Sequence, residues 1–465
     1  MASKRTSGPS PARLGPEAIR ALLERALARS EADETELVYL AMDEALTRFA
    51  QNAIHQHVAE TDATLEVRAA LGTRVGTVTT NDLTEAGLER AVQQAASLAR
   101  HLPDNPEWPG LPGPQTYAAQ PPPFDEAVAR LVDDPVLRAR AVADLCAEAR
   151  ATRLEASGAY SVARYEHAIL NSNGLFAYAP STQIDATFVC EQSEPPASSY
   201  AHATGWRHEQ VDLVRLRQDA FRRARTTQRR RPLPAGEYPV VLEPYAVLTL
   251  IEAMVEDGMG ALAVQEGRSW MNAHFGERCM SPLITITDDA FDADGLPRAF
   301  DCEGVAKQRV PIVVAGVPTS PVYDRWTARR EPGKTSTGHA QPYDDEDWDG
   351  PLPENLALAP GPASLDDLIR GVERGLYISR FWYVRQTASR GAAATGTTRD
   401  GVWWIEGGEL AYPVAELRFD QELVTALRHV RAVGRDRPAL SGLCGVHRLP
   451  ALALDHFRFI DVDEL

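Results

Sequence analysis

In the run ILNSNGLFAYA, Asn173 and Gly174 stand between two apolar segments. Residues that accept a positive φ let one strand reverse into the next, so this dipeptide is a strong hairpin signal. A second reversal is written upstream in TLEVRAALGTRVGTVTT, where Gly72 and Thr73 can close a tight turn. Antiparallel pairing is therefore imposed on both sides of residue 120, and helices must pack around it. Ile19, Leu22, Leu23, Ala26 and Leu27 follow Pro16 at helical spacing. Thr84 can cap a helix that carries Leu88, Ala91, Val92, Ala95 and Leu98 on one face. Helix, strands and helix in that order predict a layered α+β unit.

Punctuation divides the rest. A polar, Pro/Ser-rich start over residues 1–14 reads as a disordered tail, without the apolar core of a secretory signal. The α+β unit is expected over 15–118 and ends in the Pro-rich LPDNPEWPGLPGPQTYAAQPPPF, a linker or an irregular surface excursion. A middle α+β region over 119–232 opens with the helix DPVLRARAVADLCAEAR and closes with the basic VRLRQDAFRRARTTQRRRPLPAG. Residues 233–465 alternate strand-like runs (EYPVVLE, PLITITDD, QRVPIVVAG, GVWWIEGGELAYPV, HFRFIDV) with turns. Two helices are predicted there, Pro244 to Asp257 and SLDDLIRGVERGL. A curved, barrel-like antiparallel sheet carrying helices is the economical architecture for this part.

Charge and cysteine usage narrow the function classes. The formal net charge of -17 disfavours a nucleic-acid partner over most of the surface. Arg222, Arg223, Arg225 and Arg229 to Arg231 read as an exposed helix end running into a linker. No apolar run approaches the ~20 residues of a membrane span. Five cysteines, Cys146, Cys190, Cys279, Cys302 and Cys444, are scattered singly, a pattern that suits a reducing cytoplasm and argues against both a disulfide framework and a zinc ribbon. No GxSxG elbow, Walker loop or GxGxxG after a strand supports a serine hydrolase, NTPase or dinucleotide enzyme.

The segment RFAQNAIHQHVAETDATLEVRAALGTRVGTVTTNDLTEAGLERAVQQAASLAR, followed by PGLP, resembles the N-terminal signature of the TldD/TldE (PmbA) metallopeptidases. Arg48, Phe49, Ile54, His55, Gln56, Gly76, Thr80, Asn81, Asp82 and Leu83 stand where that pattern has them. LNSNG, STGHA, GLYISRFWYVR, TGTTRDGVWWIEGGELAYPV and AVGRD recur in the family's order. The resemblance implies a cytoplasmic protein. It also implies a heterodimer of a zinc-bearing TldD-like and a TldE-like subunit, which cleaves extended or unfolded peptides in an enclosed chamber.

In TldD-type subunits the zinc site is an HExxxH helix plus a C-terminal cysteine. Laid on VLEPYAVLTLIEAMVEDG, that pattern puts Glu252 and Asp257 at the histidine positions and Ala253 at the base. Shifted by one residue, it puts Ile251 and Glu256 there, with Glu252 as the base. Neither register supplies a histidine, and Cys444 takes the place of the family's cysteine. The expectation is a TldE/PmbA-like subunit without its own zinc, the zinc lying in a partner that carries HExxxH. The carboxylates are expected to be solvated or salt-bridged, with a hard cation on Glu252 and Asp257 as the sharper alternative. Two other readings stay open: a stand-alone metallopeptidase using Cys444 with His447 or His456, and a metal-free peptide-binding scaffold.

The resemblance implies that peptide is engaged as an added strand on a sheet edge, and Thr337, Gly338 and His339 are the candidate loop near its path. His55 and His57 share a strand face and are read as packing and hydrogen-bonding residues. The acidic run from Asp344 to Asp349 lacks calcium-loop spacing and is read as solvated.

Overall fold

The structure is a computed structural model and describes residues 13–119, 121–256, 258–342, 350–387 and 392–461 of the 465. Helix α1 (Pro16–Leu27) opens the chain and buries Ile19, Leu23 and Ala26. Long strands β1 (Glu34–Ala50) and β2 (Ala53–Leu71) follow, then β3 (Arg74–Thr80) and helix α2 (Glu85–His101). The hairpin at Gly72-Thr73 forms as expected, joining β2 to β3 antiparallel. Thr84 caps α2 by accepting a hydrogen bond from the Gly87 N–H. Of the predicted stripe only Leu98 turns outward, at 45% exposure. Gly76 of β3 brings the two backbones so close that any β-carbon there would press on Ala95 and Ala99.

Helices α3 (Glu126–Asp133) and α4 (Pro135–Ala151) lead into β4 (Glu155–Asn171), β5 (Phe176–Gln192), β6 (Ala197–Gly205) and helix α5 (Leu213–Thr226). Asp134 caps α4, accepting from the N–H groups of Val136 and Leu137. The Asn173-Gly174 hairpin is present, and Gly174 takes φ 87°. All six strands belong to one antiparallel sheet in the order β3-β2-β1-β4-β5-β6, so strands from either side of residue 118 lie side by side.

The Pro-rich stretch between α2 and α3 is irregular but packed. Trp108 and Leu111 are buried against Ala70. Arg325 and Arg329, from the C-terminal region, donate to the carbonyls of Gly110, Pro109 and Trp108. The segment therefore straps the two regions together.

In the C-terminal region strand β7 (Gly236–Leu242) pairs in parallel with Arg374–Gln386 and antiparallel with Leu452–Ile460. The ring runs on through Arg418–Glu422 and Ala393–Glu406 and returns to Arg374–Gln386, closing a five-stranded barrel. Phe381, Phe419 and Phe457 meet inside it with ring centroids 4.6 to 5.5 Å apart. Helix α6 (Pro244–Glu256) lies against the barrel and buries Val247, Leu250, Ile251, Met254 and Val255.

A second six-stranded sheet of short strands completes this region; its last two members are Val446–Arg448 and Ala439–Ser441. The helix expected over SLDDLIRGVERGL is shorter than its pattern. It spans Leu365–Arg370, ends at Gly371, and the chain is already strand at Arg374. Barrel pairing overrides helical periodicity there, because Gly375 is pressed against the Pro239 backbone. The architecture is thus α+β, with a layered N-terminal part and a barrel-bearing C-terminal part.

Candidate functional site

Helix α6 carries Glu252 toward the loop that joins the last two strands of the second sheet. Its apolar residues face the barrel and the second sheet, so this carboxylate emerges at their margin, half-buried. Oε1 accepts a hydrogen bond from the Leu443 N–H. Gly442 fits directly over the same oxygen, and a methyl group there would overlap it. Burial pushes the Glu252 pKa up to about 7, with the Glu256 charge adding to the rise and the Leu443 N–H opposing it. One turn on, Glu256 accepts from Gln386 Nε2 at 3.0 Å, and burial raises its pKa too. Asp257 lies outside the described residues.

The expectation that these carboxylates are solvated or salt-bridged is corrected for Glu252. Leu443 lies 191 residues away in sequence and closes over it. An isolated helix segment contains no sign of that contact.

Cys444 follows Leu443. Burial pushes its thiol up to about 12, and the nearby carboxylates of Glu252, Glu256 and Glu354 contribute. The resemblance implies zinc on two imidazoles and a thiolate, and these side chains do not fit it. The helix provides no imidazole, the first carboxylate oxygen is engaged by a backbone N–H, and the thiol sits among acids that disfavour its thiolate. His447 is fully buried with Nδ1 accepting from the Leu356 N–H at 3.2 Å, and burial pushes its pKa down to about 4. Its Nε2 has no hydrogen-bond partner among the described residues. His456 sits on the barrel strand Leu452–Ile460, its ring 4.8 Å from that of His429 and its Nδ1 3.8 Å from Glu237. Among the described residues no three His, Cys, Asp or Glu side chains are grouped to hold a metal ion.

The Thr337–Gly338–His339 loop is built into the interior. His339 has no exposed surface; Nε2 meets Asp288 Oδ1 at 3.0 Å and Nδ1 meets Thr337 Oγ1 at 2.9 Å. Burial, with the charge of Lys307, pushes the imidazole pKa down, so the ring is neutral near pH 7. Gly338 has φ 75° and sits against the Ala306 backbone, a place no larger residue could take. The loop's side chains therefore brace the scaffold.

Beside it runs an ionic chain that single-residue patterns do not reveal: the buried Lys307 Nζ is 2.5 Å from Glu354 Oε2, and the exposed Arg298 reaches Glu354 Oε1 with Nη1 at 3.1 Å. Those two cations outweigh burial and keep Glu354 ionised.

His55 and His57 are exposed on one face of β2, and His57 Nδ1 bonds Thr47 Oγ1 at 2.8 Å. Several of the clustered arginines are engaged within the fold. Arg223 meets the buried Glu243 at 2.8 Å, Arg222 meets Asp219 at 2.7 Å, Arg230 meets Glu416 at 3.2 Å, and Arg231 stacks 4.0 Å over Tyr412. The run from Asp344 to Asp349 lies outside the described residues. All five cysteines are free thiols. Among the described residues no helix is long and apolar enough to cross a membrane.

Comparison with known proteins agrees with this architecture. Residues 235–460 match the family model described as PmbA/TldA metallopeptidase C-terminal domain, and residues 35–99 match the one described as PmbA/TldA metallopeptidase domain 1. The chain is 24% identical over 450 residues to the metalloprotease PmbA of Escherichia coli O157:H7, covering 94% of this chain and 95% of that protein. It is 26% identical over 295 residues to a metalloprotease of Methanothermobacter thermautotrophicus, covering 60% and 62%. The crystal structure of TldE from Thermococcus kodakarensis superposes with a TM-score of 0.84 at 18% identity, covering 95% of this chain and all of that one. With both family models matched and the same fold along nearly its whole length, this chain belongs to the PmbA/TldD/TldE metallopeptidase family.

Proposed function

We propose that this chain is the non-catalytic, TldE/PmbA-like subunit of a heterodimeric cytoplasmic zinc metalloprotease that degrades or processes unfolded peptides. The zinc belongs to an HExxxH-bearing, TldD-like partner, and this subunit helps to shape the chamber. The observation that carries the reading is the closure of Leu443 over Glu252. Where a zinc peptidase needs open imidazole ligands, this helix presents a carboxylate already bonded to backbone, with a neutral thiol beside it.

The isolated chain is expected to purify without stoichiometric zinc and to leave unfolded peptides uncut. Adding the HExxxH-bearing subunit from the same host is expected to give chelator-sensitive cleavage. One zinc per isolated chain, lost on Cys444→Ser, would overturn the assignment, as would cleavage by the isolated chain.

A further inference from the structure

The two faces of the N-terminal sheet have different fates. Leu37, Tyr39, Ala168 and Leu170 pack beneath α1 and α2. Alternate residues face the other way: Leu40 stands opposite His167, and His167 opposite Ala179, all lining one cavity. The C-terminal segment 296–302 roofs that face without filling it. The space, open to solvent on one side, is ≈ 760 Å³, within the range of small-molecule sites.

One wall is aromatic. Phe300 stands 5.4 Å from the Tyr117 ring and 5.2 Å from the His167 ring. The Tyr117 hydroxyl donates to the Gly304 carbonyl at 2.8 Å, which holds that ring in place. The opposite need is for an acceptor. Two carboxylates line the cavity: Glu66 meets Arg68 at 3.4 Å, and Asp301, in the roof, already accepts from the N–H groups of Glu303, Val305 and Ala340. Arg298 gives one N–H to Glu354 and lines this space, with its side chain 44% exposed. His167 and Tyr165 line the same cavity as Arg298, and neither side chain has a hydrogen-bond partner among the described residues. Unused donors thus converge beside a ring-lined wall, where an arginine fork favours a carboxylate.

We propose that this cavity binds a small aromatic carboxylate, its ring against Phe300 and its carboxylate on Arg298 with His167 and Tyr165. The site is separate from the Glu252–Cys444 cluster and does not depend on the reading of that cluster.

The test is calorimetric titration of the full chain with N-acetylphenylalanine and with its neutral amide. The acid is expected to bind, and at least about tenfold more tightly than the amide, as a charge-assisted pair requires. Arg298→Gln is expected to erase the preference. Because Arg298 also serves Glu354, a second variant is needed. Ala179→Phe fills the cavity from the sheet side without removing a polar group, and is expected to abolish binding while the thermal unfolding midpoint is retained. No binding of the acid at about 5 mM, a concentration that would reveal even a millimolar Kd, would overturn the proposal. Equal binding of acid and amide, or unchanged binding by a folded Ala179→Phe chain, would do the same.

Discussion

Gly442 rests on the carboxylate of Glu252 so closely that any side chain at that position must displace the carboxylate. Gly442→Ala is therefore expected to destabilise the fold by about 1–3 kcal/mol through overpacking. Glu252→Ala alone loses the Leu443 contact, but in combination it removes the oxygen that the added methyl group would strike. A double-mutant cycle by urea unfolding should show the pair costing less than the sum of the single changes. Additive losses would mean that the loop relaxes away from the helix.

The same carboxyl gives stability a pH dependence. Its pKa in the fold, about 7, lies above the ordinary value, so the fold prefers the protonated form. The contribution is whole below the unfolded pKa and is lost as pH rises through about 7. Glu252→Gln keeps an acceptor for Leu443 but cannot ionise. From about pH 5 to pH 8 its stability relative to the parent should improve by on the order of 2 kcal/mol, read from unfolding curves at each pH. A constant difference would show that Glu252 is ionised throughout.

Cys444 should be a poor nucleophile. With its thiol pushed up to about 12, alkylation by iodoacetamide near neutral pH should be slower than in the unfolded chain by about two orders of magnitude or more. Peptide mapping by mass spectrometry reads the site directly. Substituting Glu252 and Glu256 by Gln should raise the rate, since both carboxylates oppose the thiolate.

At the junction of α5 with the barrel, Glu243 is buried and accepts from Arg223 and from the Tyr377 hydroxyl. Arg223→Met leaves a buried carboxylate without its cation and should cost about 3–5 kcal/mol in denaturant unfolding. Adding Glu243→Gln should recover part of that loss. An Arg223→Met chain as stable as the parent would place this arginine among solvated charges, as its basic sequence neighbourhood first suggests.

What the sequence by itself determined is local. The hairpins at Gly72-Thr73 and Asn173-Gly174, the Thr84 cap, and the buried stripes of α1 and α2 each depend on residues a few positions apart, and all are present but for Leu98. The absence of histidine from α6 is equally a property of the string. Tertiary structure decided what depends on distant partners: Leu365–Arg370 stops short because Gly375 must enter the barrel beside Pro239, and His339 became a buried brace once Asp288 came to lie against it. It also decided the state of Glu252. Nothing in LTLIEAMVE distinguishes a solvated carboxylate from one capped by a backbone N–H. That difference arises only where closure of the barrel and second sheet carries Gly442 and Leu443 onto the helix, and burial there moves the balance between charge and proton.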